Sequence, residues 1–386
     1  MTRPGELSRV SRLIATGEAI EQAIERAGVD NFSAPGILER LDRTLDAFAR
    51  VALTETEIGK VSDKLVQDLT NRLRIEDWCA RHPEIEKQPV EQPVLVVGMP
   101  RTGTTATVAM LALDQRFRFL RPWEAGSPVP PPIAGEEDRD PRLIAAREAA
   151  RHYQMAHMHL FDPDGPEEDL AMLATLDMRA YHGAYPMPDD YIDWWMNDDF
   201  RSTYALLQKV FKLLQSRRPP NRWLLKSPPH LFRLDLLAEL YPDARFVMTH
   251  RDPRKLIASV CSLHCALYEQ RCRPGVIDKS KLGRTMLDFW QEGMRRAMAA
   301  RARIGAERFI DVHNRDVVSR PIETFERVYE HIGLDLTSDQ VARLEHYNSS
   351  KAPGAFGAHS YTLEEFGLTE ADIASAFAEY LERFDP

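Results

Sequence analysis

The 386-residue chain is long enough for two or three units, although one large α/β fold can absorb that length, and its 44 % apolar content is that of a protein with a sizeable core. Its net charge of −9, spread along the chain, gives no electrostatic reason to expect nucleic acid as a partner. Four cysteines in so long a chain exclude a disulfide framework. Neither a signal peptide in Met1 to Ile20 nor an apolar run of about 18 residues is present, so no transmembrane segment and a cytoplasmic setting are expected.

Residues 1–90 are expected to form an N-terminal helical region. Apolar residues recur at helical spacing in Leu7, Val10, Leu13 and Ile14, and again in Leu38, Leu41, Leu45 and Phe48. Ser33 before Pro35 is expected to start a helix. The proline-bearing stretch from His82 to Pro93 marks the boundary with residues 91–386. There the texture changes. Pro93-Val-Leu-Val-Val-Gly98 is a short apolar, β-branched run, the pattern of a strand buried on both faces in a parallel sheet. Similar runs follow at 222–226, 244–249 and 308–312, each separated by helical sequence. The expectation is an α/β fold: a P-loop-type parallel sheet flanked by helices, its strand order not legible. An insertion of about residues 120–220 divides the first two of these strands. It carries the aromatic residues Tyr185, Tyr191, Trp194 and Trp195, which read either as an acceptor pocket or as core. Cys261, Cys265 and Cys272 surround His264 but match no zinc spacing, and no metal is expected.

The sharpest signal is Gly98-Met-Pro-Arg-Thr-Gly-Thr-Thr105, set between a buried strand and a helix. Glycine lets the backbone wrap closely, and free N–H groups at a helix start face an anion. The spacing is that of a nucleotide triphosphatase loop, yet Thr104 stands where that motif requires lysine, and a cation, Arg101, lies inside the loop instead. Such a loop suits one phosphate beside a transferring anion better than ATP hydrolysis. A second pattern, His250-Arg-Asp-Pro-Arg-Lys-Leu-Ile-Ala-Ser259, ends a strand and begins a helix, with Asp252 as cap and Pro253 as first helical residue. Between the two lies Trp223-Leu-Leu-Lys-Ser-Pro-Pro-His230, which brings Lys226 to a strand end, at the sheet edge where open α/β folds bind ligands.

Together these motifs resemble the sulfotransferase superfamily that uses 3′-phosphoadenosine 5′-phosphosulfate (PAPS), and within it the bacterial branch related to tyrosylprotein sulfotransferases, whose loop reads Pro-Arg-Ser-Gly-Thr-Thr. The resemblance covers about residues 91–386. It implies a 5′-phosphosulfate loop of Pro100, Arg101, Thr102, Gly103, Thr104 and Thr105, and a 3′-phosphate site of Arg251 and Ser259. It further implies Arg101 and Lys226 as the cations on the moving sulfuryl group, and Glu124 as the base that takes the acceptor proton. His157, His159 and His182 are rival bases. The chain departs from its relatives at Asn314, where they often place a tyrosine, and at Ala355 to Tyr361, which keeps His359 and Tyr361 but not the lysine of a Lys-His-Gly turn, although Lys351 is close. The implied activity is sulfuryl transfer to a hydroxyl of a small molecule or peptide, with PAPS as co-substrate and without a metal. The alternatives are a P-loop kinase or nucleoside triphosphatase, and a non-catalytic nucleotide-binding protein. Neither the acceptor nor the oligomeric state is legible.

Overall fold

The computed structural model describes residues 12–32, 36–152, 162–219, 221–350 and 361–386. Its centre is a parallel five-stranded sheet of β1 (Val94–Val97), β2 (Phe117–Arg118), β3 (Arg222–Lys226), β4 (Arg245–His250) and β5 (Phe309–His313), in the order β2-β3-β1-β4-β5. All four residues of β1 are buried, as its unbroken run of Val and Leu requires of a strand covered on both faces. Alternation divides them: Leu95 and Val97 join one apolar cluster, Val94 and Val96 the other. The register aligns Val96 with Lys226 and Val97 with Met248. Strands β1 and β3 therefore end nearly level, β4 runs on through Thr249 and His250, and the segments that leave them begin at one edge. The chain leaves β1 toward β2 and β3 on one side and reaches β4 on the other, which makes β1 the switch point where such sheets bind ligands.

Three helices precede the sheet: α1 (Thr16–Ala27), α2 (Ile37–Ala49) and α3 (Glu55–Arg81). The expected helix start at Ser33 lies outside the described residues, and α2 begins after Gly36. Helix α4 (Thr104–Leu111) follows β1. The insertion forms α5 (Pro122–Gly126), α6 (Pro141–Arg151), α7 (Asp169–Asp177), α8 (Asp189–Asn197) and α9 (Arg201–Gln215). Then come α10 (Leu234–Leu240) after β3, and α11 (Pro253–Arg271) and α12 (Lys279–Ile304) between β4 and β5. The chain continues through α13 (Asn314–Ser319), α14 (Pro321–Ile332), α15 (Ser338–Ser350), α16 (Glu370–Ala376) and α17 (Ala378–Phe384).

The N-terminal helices share the larger apolar cluster with the sheet and the insertion. Buried polar contacts fix the seam. Asp68 of α3 accepts hydrogen bonds from Thr175 at 2.7 Å and from the Tyr181 hydroxyl at 2.9 Å, and Tyr185 donates to Glu57 at 2.9 Å. The insertion aromatics belong to this core. Tyr191 and Trp195 are 2 % and 3 % exposed, and Trp195 packs on Phe200, Phe232 and Phe289. Trp194 lies under the Arg43 guanidinium at 4.0 Å. Of the two readings of this cluster, the structure takes the core.

Candidate functional site

The loop after β1 is held open by its own backbone. Gly98 has φ 155°, and a Cβ on it would lie 2.8 Å from the Thr249 carbonyl oxygen and 2.9 Å from Thr102 Oγ1. Thr102 is buried. Its hydroxyl donates to the Met99 carbonyl at 2.6 Å and meets Thr249 Oγ1 at 2.6 Å, which ties the loop to β4. Gly103, at φ 100°, caps α4, where only glycine adopts the backbone without strain. Thr104 and Thr105 open that helix, whose first N–H groups lack intrahelical acceptors and face the loop.

Four of the expected cation and phosphate positions converge here. Arg101 stands exposed at φ 69°, and its Nε donates to Ser259 Oγ at 3.2 Å across from α11. Arg251 donates from Nη1 to the Arg101 carbonyl at 3.1 Å. Asp252 caps α11 by accepting from Arg254 N at 3.0 Å, which sets Arg251 at the turn between β4 and α11. On the opposite side of the loop, the Lys226 ammonium lies 3.4 Å from Thr105 Oγ1 and 2.5 Å from Glu168 Oε1. Two cationic groups, Arg101 with Arg251 and Lys226, thus flank one helix N-terminus. Such a site can seat two anionic groups and neutralise charge on a leaving oxyanion without a metal.

Glu124 is not drawn into this group. It is fully buried as the third residue of α5, where Oε2 accepts from Arg121 N at 3.0 Å and Oε1 from Arg118 Nη2 at 2.5 Å. Arg118 is itself buried and lies over Trp223, three residues and about 10 Å along β3 from Lys226. Each Glu124 oxygen thus accepts one hydrogen bond, from a buried guanidinium and from a backbone N–H, and none comes from the loop or from Lys226. Of the rival histidines, His157 and His159 lie outside the described residues. His182 is buried between Trp195 and Phe289, and burial pushes its pKa down to about 3. It is therefore neutral and sealed.

Several contributors lie outside the residues to which the motifs assign a role. Asp169, at the start of α7, is buried, and its Oδ2 accepts from Lys226 N at 3.0 Å and contacts His230 Nε2 at 2.9 Å. His230 Nδ1 in turn meets the Tyr204 hydroxyl at 2.9 Å. Burial pushes the Asp169 carboxyl up, against the opposing pull of His230. Asn314, the first residue of α13, places its Nδ2 2.7 Å from where a Cβ on Gly103 would sit. Behind Arg251, His250 stacks on Phe384 of α17 at 4.4 Å, and it contacts Asp311 at 2.8 Å and the Tyr380 hydroxyl at 3.1 Å. The C-terminal helix thus braces the strand end that carries Arg251. Lys351 and residues 355–360, including His359, lie outside the described residues, while Tyr361 packs against the core.

Among the described residues no group of three or more His, Cys, Asp or Glu side chains gathers as a metal site, and none of the helices is long and apolar enough to cross a membrane. Cys79, Cys261, Cys265 and Cys272 are buried free thiols, and burial pushes the Cys261 thiol up to about 12.

Residues 93–339, which span the sheet, the loop after β1, Lys226 and the Arg251–Ser259 pattern, match the model of the sulfotransferase family. Among curated proteins the chain is similar to the omega-hydroxy-beta-dihydromenaquinone-9 sulfotransferase Stf3 of Mycobacterium bovis and of Mycobacterium tuberculosis, each 23 % identical over 301 residues that cover 72 % of either chain. Among solved structures it resembles sulfotransferase STF9 from Mycobacterium avium, with a TM-score of 0.88 and 29 % identity over 99 % of this chain and 98 % of that one. It also resembles sulfotransferase STF1 from Mycobacterium tuberculosis, with a TM-score of 0.80 and 27 % identity over 96 % and 100 % of the two chains. With nearly two thirds of its length matched to the family and its whole fold shared with two solved members, the chain belongs to the sulfotransferase family and is a sulfuryl-transferring enzyme.

Proposed function

We propose that the enzyme takes its sulfuryl group from PAPS and delivers it to a hydroxyl of a small molecule. The observation that carries this is the pairing of Arg101 with Ser259 and Arg251 on one side of a loop that has Thr104 in place of a triphosphatase lysine. A nucleotide with phosphates at both its 3′ and 5′ ends needs two separate anion seats, and this arrangement offers them. The loop from Pro100 to Thr105 would hold the 5′-phosphosulfate on its N–H groups and hydroxyls. Arg251, as a planar fork, and Ser259 would hold the 3′-phosphate. Lys226 and Arg101 would stabilise the sulfuryl oxygens and the departing phosphate, the electrostatic work that in-line group transfer asks of a protein. No step in this scheme calls for a metal. The curated relatives are named for an acceptor with a terminal hydroxyl on a quinone, which favours a small-molecule alcohol over a peptide here. Four buried free thiols fit a reducing, cytoplasmic setting.

Calorimetry with the desulfated product, 3′-phosphoadenosine 5′-phosphate (PAP), tests the donor against ATP with magnesium. The expected result is PAP binding that falls at least tenfold in Arg251→Ala, with ATP ignored. A preference for ATP would overturn the donor assignment and restore the kinase reading.

A further inference from the structure

The carboxylate best placed to receive the acceptor proton follows Asp162-Pro-Asp-Gly-Pro166. Glu168 sits immediately before α7, and its side chain keeps 26 % exposure, against 0 % for Glu124. Oε1 is 2.5 Å from the Lys226 ammonium, and that ammonium also reaches Thr105 on the phosphate loop. Among the described residues Oε2 has no hydrogen-bond partner. Each neighbouring carboxylate engages one oxygen, and neither is paired with the Lys226 ammonium. Glu167 Oε1 accepts from Glu168 N at 2.7 Å, and Asp169 is sealed against His230 and the backbone of Lys226.

The backbone around Glu168 is fixed on both sides. Glu167 N donates to the Leu120 carbonyl at 2.8 Å, and Asp169 bolts the first turn of α7 to the end of β3 through Lys226 N. Tyr204 and His230 support Asp169 from beneath. A carboxylate and an ammonium are thereby presented side by side from two different elements, one partly open to solvent and the other facing the loop.

We propose that Glu168 is the general base, an inference that rests on the sulfuryl-transfer reading above. Without donor, Glu168 and Lys226 neutralise each other. When an anion occupies the loop, Lys226 has a stronger partner, and Glu168 is left as a free carboxylate beside the reacting centre. The acceptor oxygen then attacks sulfur and forms the new O–S bond. The S–O bond to the 5′-phosphate breaks with its electron pair passing to the phosphate oxygen, which Lys226 faces. The hydroxyl proton moves to Glu168 Oε2 and leaves through the exposed edge of the side chain. Atoms and charge balance with PAPS and an alcohol as the sole reactants.

The test compares wild type, Glu168→Gln, Glu168→Asp and Glu167→Gln by PAP calorimetry and by PAP release from PAPS. The acceptors are farnesol, 4-nitrophenol and water, the last always present. Glu168→Gln is expected to bind PAP within about threefold of wild type and to lose about 100-fold or more in turnover with water or farnesol. With 4-nitrophenol, about half ionised at neutral pH and so supplying an acceptor oxygen that needs no base, the loss is expected to be under tenfold. The acid limb of kcat/KM against pH is expected to vanish in Glu168→Gln and to persist in Glu168→Asp and Glu167→Gln. Wild-type protein that binds no PAP, or releases none from PAPS with any acceptor, overturns the donor and transfer reading itself. PAP binding with equal losses for every acceptor and an intact acid limb overturns only the base, because Glu168 would then merely position Lys226. Retained turnover, or loss of PAP binding in Glu168→Gln, overturns it as well.

Discussion

Replacing Glu124 by glutamine separates a structural carboxylate from a catalytic one. The Glu124 and Arg118 side chains are 0 % and 5 % exposed, so neither charge reaches water when its partner is gone. Glutamine has one carbonyl oxygen for the two donors that Glu124 now serves, Arg118 Nη2 and Arg121 N. Its amide would face the other donor. Leaving a buried guanidinium without its counter-charge costs about 3–5 kcal/mol, and the lost cap of α5 adds up to about 1 kcal/mol. Against a typical total of about 5–15 kcal/mol, that is a large share of the stability. With a urea m-value of about 3 kcal/mol/M, the midpoint is expected to fall by about 1 M or more. The double variant Arg118→Met/Glu124→Met, which removes both charges, is expected to recover most of this. Turnover per folded Glu124→Gln molecule is expected to stay within about threefold of wild type. A variant that keeps the wild-type urea midpoint yet loses turnover 100-fold would refute this reasoning and return the proton-accepting role to Glu124.

Gly98→Ala is expected to damage the enzyme more than Gly103→Ala. The first would press a Cβ to 2.8 Å from the rigid Thr249 carbonyl, the second to 2.7 Å from the Asn314 amide, a side-chain end that can swing away. Urea midpoints and PAP calorimetry should show a loss of about 2 kcal/mol or more with weakened binding for Gly98→Ala, and about 1 kcal/mol of backbone strain for Gly103→Ala. Stability is also expected to fall in mild acid. Burial holds the pKa of His182 at about 3 and of His264 at about 4, below the ordinary 6.5. The unfolded chain therefore takes up these protons first. Their contribution is complete above pH 6.5 and is lost toward pH 4, with a slope approaching about 1.4 kcal/mol per pH unit for each histidine. Urea midpoints at pH 7.5, 6 and 5 check this, and His264→Gln should flatten the dependence.

Four strands were legible because each is a short run rich in apolar residues, buried almost throughout in β1, β3 and β4 and partly buried in β5 at the sheet edge; 222–226 matches β3 residue for residue. Strand β2 escaped because it has two residues, Phe117 and Arg118, and a pair shows no periodicity. The loop and the Arg251–Ser259 pattern were readable because backbone chemistry fixes their spacing in sequence: a strand, a glycine turn, then a helix start. Lys226, Glu168, Asp169 and His230 come from separate elements that meet only when α7 docks on the end of β3. No spacing encodes that meeting. Glu168 follows a Pro-Asp-Gly-Pro stretch that reads as loop punctuation, whereas Glu124 lies beside a tryptophan and appears partly desolvated from sequence alone. In the structure the desolvation of Glu124 is complete, and each of its oxygens already accepts a hydrogen bond. The insertion aromatics misdirect for the opposite reason: a Tyr/Trp cluster looks the same in sequence whether it lines a cavity or fills a core.

The backbone of Arg101 bears on how the loop greets its ligand. At φ 69° it has the hand that glycine takes freely and that a side chain holds at about 1 kcal/mol. Its guanidinium is further tethered to Ser259 and its carbonyl to Arg251. An arginine on an ordinary surface loop sweeps many rotamers and must surrender them when it grips an anion. Here that freedom is already surrendered in folding, so less entropy remains to be lost on association. Arg101 is thereby preset, and the selectivity of this side of the loop rests on how well an anion fits it.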